Sequence, residues 1–311
     1  MSALAKVKKN GFNRMKLREN IAGWLFCAPV IIGLLLFALV PIILSLYSTT
    51  LRWSGFGSIF EASSVGINNY RNVFFGLYSF HFWRAMRNTI IMLLYVPVSM
   101  IIGLLIAMMV NRKMRGVQTF RVIYYLPGIT SVVAISIIFE NLFNSPDGVF
   151  NIILMSNFGL SRPVRWLTDD APVIISIGIL VVWRGLGYSM LMYLAGLQSV
   201  SAELVEASRI DGANAFQVLH KIILPALYPI TFFLLVTGVM GGLQIFNEPF
   251  LLAGYGDNFN AMTSVSFVLF FFQGTVRDLG VAAVGAWALT ILIFIVTAFQ
   301  LFIDNRKDKA Y

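Results

Sequence analysis

Charge is scarce in this chain, and the residues that cross-link proteins or hold metals are scarcer. Only 12% of its 311 residues are charged, where a soluble domain carries about a quarter. There is one cysteine, Cys27, and there are two histidines, His81 and His220. A lone cysteine excludes an intrachain disulfide and a cysteine-based metal centre; Cys27, inside an apolar run, reads as a small packing residue. The histidines stand far apart in sequence and imply no metal site. No G-x-x-x-x-G-K-[ST] loop occurs, so the chain does not cradle a nucleotide in the Walker manner. It also lacks a nucleophile–base or metal constellation, which argues against a membrane-embedded enzyme. The lack of an obvious internal repeat weakens, without excluding, a secondary transporter built from inverted repeats.

What the chain has is apolar length. Hydrophobic residues make up 58% of it, and a helix needs about 20 of them in a row to cross the hydrocarbon core. Such runs occupy Ala22–Leu46, Thr89–Val110, Val122–Phe139, Pro172–Leu194, Pro229–Leu252 and Leu279–Ile303. The expectation is an all-α membrane protein with six transmembrane helices. A further apolar piece, Ala261–Phe272, is too short to span and reads as an interfacial or re-entrant helix. The basic start followed by an apolar run resembles a signal peptide, whose apolar core is about 7–15 residues. This run is longer and holds no convincing cleavage site, so it reads as a retained first helix.

The net charge of +9 would suit a nucleic-acid partner, but the positions of the basic residues point instead to membrane orientation. With the N-terminus inside, the inner segments hold fifteen Lys and Arg and the outer segments seven. The inner set includes Lys6, Lys8, Lys9, Arg14, Lys16, Arg18, Arg112, Lys113, Arg115 and Arg121; the outer set is Arg52, Arg71, Arg84, Arg87, Arg162, Arg165 and Arg277. Cytoplasmic loops carry the excess of positive charge. Both termini are therefore expected in the cytoplasm.

One inner segment is unlike the rest. "EASRIDGANAFQVLHKIILP", residues 206–225, is polar and tightly punctuated between two spans. Ser199 or Ser201 can cap a first short helix, with Glu203 and Glu206 complementing its dipole. Gly212 allows a turn that residues with a Cβ resist. Asn214 can cap a second helix, Ala215–Leu224, that Pro225 closes or kinks. Small residues Ala207, Ser208, Ala213 and Ala215 let another surface come close. Read locally, this is either a compact knob for a partner or a well-structured loop with none.

The same residues resemble the EAA signature of permease subunits of binding-protein-dependent ABC importers. Glu206, Ala207, Asp211, Gly212, Ala213, Ile222, Leu224 and Pro225 fall on its defining positions. The resemblance extends through "GINNYRNVFF", "FWRAMRNTI", "NRKMRGVQTFRVIYYLP", "GVFNIIL" and "WRGLGYSMLMYLAGLQSV", and points to the carbohydrate-uptake, maltose-type branch. Two positions depart from the pattern. Ser208 stands where the family has Ala, and Ser201 where it commonly has Pro.

The resemblance implies the type I ABC importer permease fold, with a cytoplasmic coupling helix that docks on an ATPase subunit. It assigns this coupling role to Glu206, Ala207, Ser208, Asp211, Gly212, Ala213, Phe216 and Pro225. It further implies a second permease subunit, two ATPase subunits that bind ATP and Mg in its place, an extracytoplasmic solute-binding protein, and a bacterial-type inner membrane. No cofactor of its own is expected. The implied organisation is a basic cytoplasmic segment over residues 1–21, a permease domain over 22–303 with its coupling loop at about 195–228, and a cytoplasmic tail over 304–311.

Sugars are recognised by hydrogen bonds to hydroxyls and by aromatic faces. In maltose-type permeases, positions similar to "WRGLGYSM" contribute to the translocation site, which carries Gly185 and Tyr188 over as candidates, with Trp183 either a ligand contact or a packing residue. A cation within a span faces protein or water rather than lipid. Arg184 thus hydrogen-bonds a sugar, attracts an acidic one, or pairs with Glu140 or Glu248. Gln244 and Asn247 are expected to line a cavity. "LLAGYGDN" replaces the family's usual Gly-rich loop. A glycerol-3-phosphate importer and, from a different class, a self-sufficient secondary transporter remain as alternatives.

Overall fold

The computed structural model describes residues 19–111, 116–254, 260–274 and 277–308, with the side chains of 305–308 excepted. Most of the basic N-terminal segment, Arg112, Lys113 and Arg115, positions 255–258 of the "LLAGYGDN" loop with the next residue, and the end of the tail lie outside the described residues.

Four helices are long and apolar enough to cross a membrane unbroken: Glu19–Ser48, Ser79–Val110, Asp170–Ser199 and Leu279–Asp304. The remaining two spans are bent pairs, Val117–Ile129 with Val132–Phe143 at 94°, and Ala215–Ala226 with Tyr228–Leu243 at 65°. The count of up to six spans agrees with the apolar runs, but two of the straight rods expected from them are broken. Pro127 removes a backbone donor inside the third span, and Thr130 and Ser131 then take up extended backbone, with ψ of 148° and 126°. The fifth span stops at Leu243 instead of running to Leu252. A separate short helix, Asn247–Ala253, follows the break. The short apolar helix expected before the last span is present as Ser264–Gln273.

The second and fourth spans form the centre of the body and are held together by small residues. A Cβ on Gly178 would sit 2.0 Å from the Tyr95 ring, and one on Gly187 would sit 2.5 Å from the carbonyl oxygen of Tyr124 on the third span. Only glycine leaves room for that ring and that carbonyl, and without a hydrophobic drive between helices in lipid, such packing carries the association. The Tyr95 hydroxyl donates to the carbonyl of Ile174 at 2.9 Å, fixing the two spans in register.

At one end, polar side chains tie the elements together. Asn88, fully buried, donates to the carbonyls of Asn260 (2.8 Å) and Met262 (3.0 Å). Thr89 accepts from the Ser264 amide at 2.9 Å, and Arg84 and Arg87 both reach Asp170. Asp278 accepts from the amides of Gly280 and Val281 and so starts the last span. Burial pushes its carboxyl above the usual value, against the pull of those two donors and of Arg52. Leu51–Arg52 and Ser63–Ser64 add a two-stranded antiparallel ribbon. The first span differs from the others: none of its apolar stretch is buried, and only near its end do Ser48, Thr49 and Leu51 bury.

Candidate functional site

A cavity of about 450 Å³ opens between the second, fourth and fifth spans, within the usual range for small-molecule sites. Its position follows from the break in the fifth span. Backbone without helical hydrogen bonds is tolerated at membrane depth only where protein buries it or a cavity receives it. Here Gly241, Gly242, Gln244, Ile245, Phe246, Asn247 and Glu248 all line the cavity. The Gln244 amide turns back to the Gly241 carbonyl at 3.1 Å, and Thr263 donates to the carbonyl of Ile245 at 2.9 Å. The break is therefore built in, with the Gly241 and Ile245 carbonyls both taken up.

The fourth span contributes Gly185, Tyr188 and Ser189 to the lining, and the second contributes Tyr95 and Ser99. The Gly185 position is tight: a Cβ there would sit 2.9 Å from the Ser99 hydroxyl. Tyr188 is 48% exposed, so its ring faces open space and not a neighbouring helix. Of the residues expected on the path, Gly185, Tyr188, Gln244 and Asn247 come together at this cavity. Trp183 and Arg184 do not line it. Trp183 packs against Phe139 with ring centroids 5.3 Å apart, and the Arg184 guanidinium donates to Glu248 rather than to Glu140. The pair is largely buried, at 23% and 16% side-chain exposure, which is the arrangement a charge within a span requires.

The structure adds Tyr95, Ser99 and Thr237 to the residues named from sequence, and it places in the cavity lining Glu248, named there only as a partner for Arg184. Ser99 and Thr237 carried a signal, as single hydroxyls inside apolar runs. That signal was weak because such residues also bond their own helix, as Thr237 does to the carbonyl of Phe233 at 2.7 Å.

The second assembly is the polar stretch after the fourth span. Ser201 accepts from the Leu204 amide and starts the helix Ala202–Ile210. The helix ends in a Schellman turn: the Gly212 amide donates to Arg209 (3.1 Å), the Ala213 amide to Ser208 (2.9 Å), and Gly212 has φ +84°. This is the left-handed position that glycine fills without a Cβ penalty. Asn214 and Gln217 then form a reciprocal capping box, at 2.9 and 2.8 Å, which nucleates the next helix. A π-helical turn, Leu219–Ile223, precedes Pro225. Glu206, Ala207, Asp211 and Gly212 are exposed, while Ser208 and Ala213 are half-buried. Two apolar side chains also point outward, Ile210 at 86% and Phe216 at 68% exposure. The ring of Phe216 stacks on His220 at 4.7 Å.

Bent and straight apolar spans closing on a largely apolar cavity with a few polar groups, and a capped joint beyond them, fit a membrane permease. Residues 73–309 match the family model for the binding-protein-dependent transport system inner membrane component, and the chain belongs to that family. It is 31% identical over 306 residues to the lactose transport system permease protein LacF of Rhizobium radiobacter, covering 94% of this chain and 97% of that one. Among solved structures, it resembles a chain of a bacterial ABC transporter involved in the import of the acidic polysaccharide alginate, with a TM-score of 0.78 at 23% identity over 94% of this chain and 99% of the other. A bacterial alginate ABC transporter in complex with an alginate pentasaccharide-bound periplasmic protein gives 0.77 at 21% identity, over 94% and 96%. The fold is the all-α ABC importer permease fold.

Proposed function

We propose that this chain is one of two membrane-spanning subunits of an ABC importer for a sugar or oligosaccharide. It sits multi-pass in a bacterial-type cytoplasmic membrane with both termini inside, and is not itself an enzyme. The observation that carries the reading is the near full-length similarity to a lactose permease, within which the family match spans both the joint and the cavity. The joint supports a role as the contact for a separate ATPase, because Ile210 and Phe216 hold apolar surface out of the chain on either side of a turn whose amides, Asp211 to Asn214, are all bonded. The unburied first span supports a second permease that packs on it. The alginate relative bound to a periplasmic protein supports an external solute-binding protein as the donor of substrate. ATP and Mg belong to the ATPase pair, and ATP-driven closure of that pair moves the joint, shifting the cavity between outward and inward access.

The test is reconstitution. In proteoliposomes, uptake of the solute carried by the binding protein is expected only when this chain, its second permease, both ATPases and ATP are all present. The isolated chain is expected neither to bind nucleotide nor to pass solute down a gradient. Stoichiometric nucleotide binding to the chain alone, or facilitated flux through it alone, would overturn the proposal; the latter result would favour a self-sufficient secondary transporter.

A further inference from the structure

We propose that the Arg184–Glu248 pair makes this subunit's side of the cavity selective for uncharged, hydroxyl-bearing solutes over carboxylate- or phosphate-bearing ones. Glu248 sets the choice and Arg184 is its positioning residue. The proposal rests on the reading of the cavity as the translocation path.

The two members of the pair are placed unequally. Glu248 lines the cavity and Arg184 does not. Among the described residues, Glu248 is the only charged side chain in the lining. The guanidinium donates to Oε1 from outside the lining, so the carboxylate is anchored without a cation in the cavity wall. An ionised carboxylate only accepts hydrogen bonds. A sugar hydroxyl supplies the donor it needs, whereas a second carboxylate or a phosphate meets like charge. The exposed Gln244 and Asn247 beside it offer both donors and acceptors and impose no charge preference. An anion path would need the opposite arrangement, with the cation facing inward. The fold itself does not decide the matter, since a transporter of this fold is involved in the import of an acidic polysaccharide. The residues at this break decide it.

The test reads the charge seen from inside the cavity. In the assembled complex, Cys27 is replaced by Ser and Thr237→Cys supplies one lining thiol. Rates of modification by neutral hydroxyethyl, cationic trimethylammonium-ethyl and anionic sulfonatoethyl methanethiosulfonates are each divided by the rate with a free small thiol. The anionic reagent is expected to lag the neutral one by about tenfold or more, the scale on which charge-lined clefts change local concentration. Glu248→Gln is expected to abolish that lag. The exchange Arg184→Glu with Glu248→Arg keeps a pair but turns the cation inward, and is expected to invert the ranking while the complex still assembles. Equal normalised rates in the parent, or a lag unchanged by Glu248→Gln and by the exchange, would overturn the charge selectivity. Failure of the path reading is separate: a thiol inert to all three reagents, or modification that leaves ATP-driven uptake unchanged while the charge ranking persists, would remove the ground on which the proposal stands.

Discussion

Gly212 offers the sharpest test of the joint, because its two possible requirements, conformation and space, predict different orders of damage. Its φ of +84° is a left-handed conformation, which costs a residue with a Cβ about 1–2 kcal/mol. A Cβ built at Gly212 meets nothing within 4 Å, so within this chain the penalty is conformational alone. That cost lowers the population of the Schellman turn by a factor of about 5–30. It falls on an exposed turn, so insertion and the membrane body are expected to survive. Asn tolerates the left-handed region better than other non-glycine residues. If backbone conformation is what the joint requires, coupled activity follows Gly > Asn > Ala > Val. If a partner's surface presses on the glycine, the order follows size, and Ala is milder than Asn. The assay is retention of the ATPase subunits on a tagged permease, with ATP-driven uptake in proteoliposomes from the same preparations. Wild-type uptake with Gly212→Val would refute the coupling role; loss of the protein from the membrane fraction would refute the claim that the penalty stays local.

Three further expectations concern the body. Tyr188→Ala removes a ring face and a hydroxyl from the cavity, a loss of about 1–3 kcal/mol if both engage the solute. At about 1.4 kcal/mol per factor of ten, apparent affinity in uptake kinetics falls about 5- to 150-fold, with assembly and binding-protein affinity unchanged. Wild-type kinetics in a stable Tyr188→Ala complex would remove it from the site. Gly187→Ala places a carbon against the backbone of Tyr124 and Tyr125; overpacking of this kind costs about 1–3 kcal/mol, and a lower unfolding temperature in detergent is the readout. Asn88→Leu strands the carbonyls of Asn260 and Met262, at about 1–3 kcal/mol, and should speed proteolysis of the chain near 260 well before the spans unfold.

The helices were legible from sequence where hydropathy alone determines them. The first, fourth and sixth spans lie within a few residues of the apolar runs, because a lipid-length run has one cheap conformation. The second span begins at Ser79 and not at Thr89, and the reason is physical. The stretch Ser79–Asn88 carries His81, Arg84 and Arg87, so an average over it looks polar, yet Phe82, Ala85, Met86 and Asn88 bury one face of it. The capped joint was legible for the opposite reason: its glycine, asparagine and serine act on neighbours a few residues away, so the determinants of the fold lie within residues 201–217.

The breaks and the cavity were harder to read, because their determinants are tertiary. Gln244, Asn247 and Glu248 were recognisable as costly in a membrane, but a cost does not say whether a helix bends, pairs or opens. The answer came from Thr263, nineteen positions after Gln244, whose hydroxyl takes the Ile245 carbonyl that the broken helix leaves free, and from Arg184, which pairs with Glu248 from another span. Remove either partner and the break would bury an unpaired carbonyl or carboxylate, at a cost of about 1–3 kcal/mol or more. The polar residues at the break can therefore line a cavity only because residues on two other elements satisfy the Ile245 carbonyl and the Glu248 carboxylate. That dependence separates a path-lining segment from a helix with misplaced polar residues, and a pattern read along one segment does not contain it.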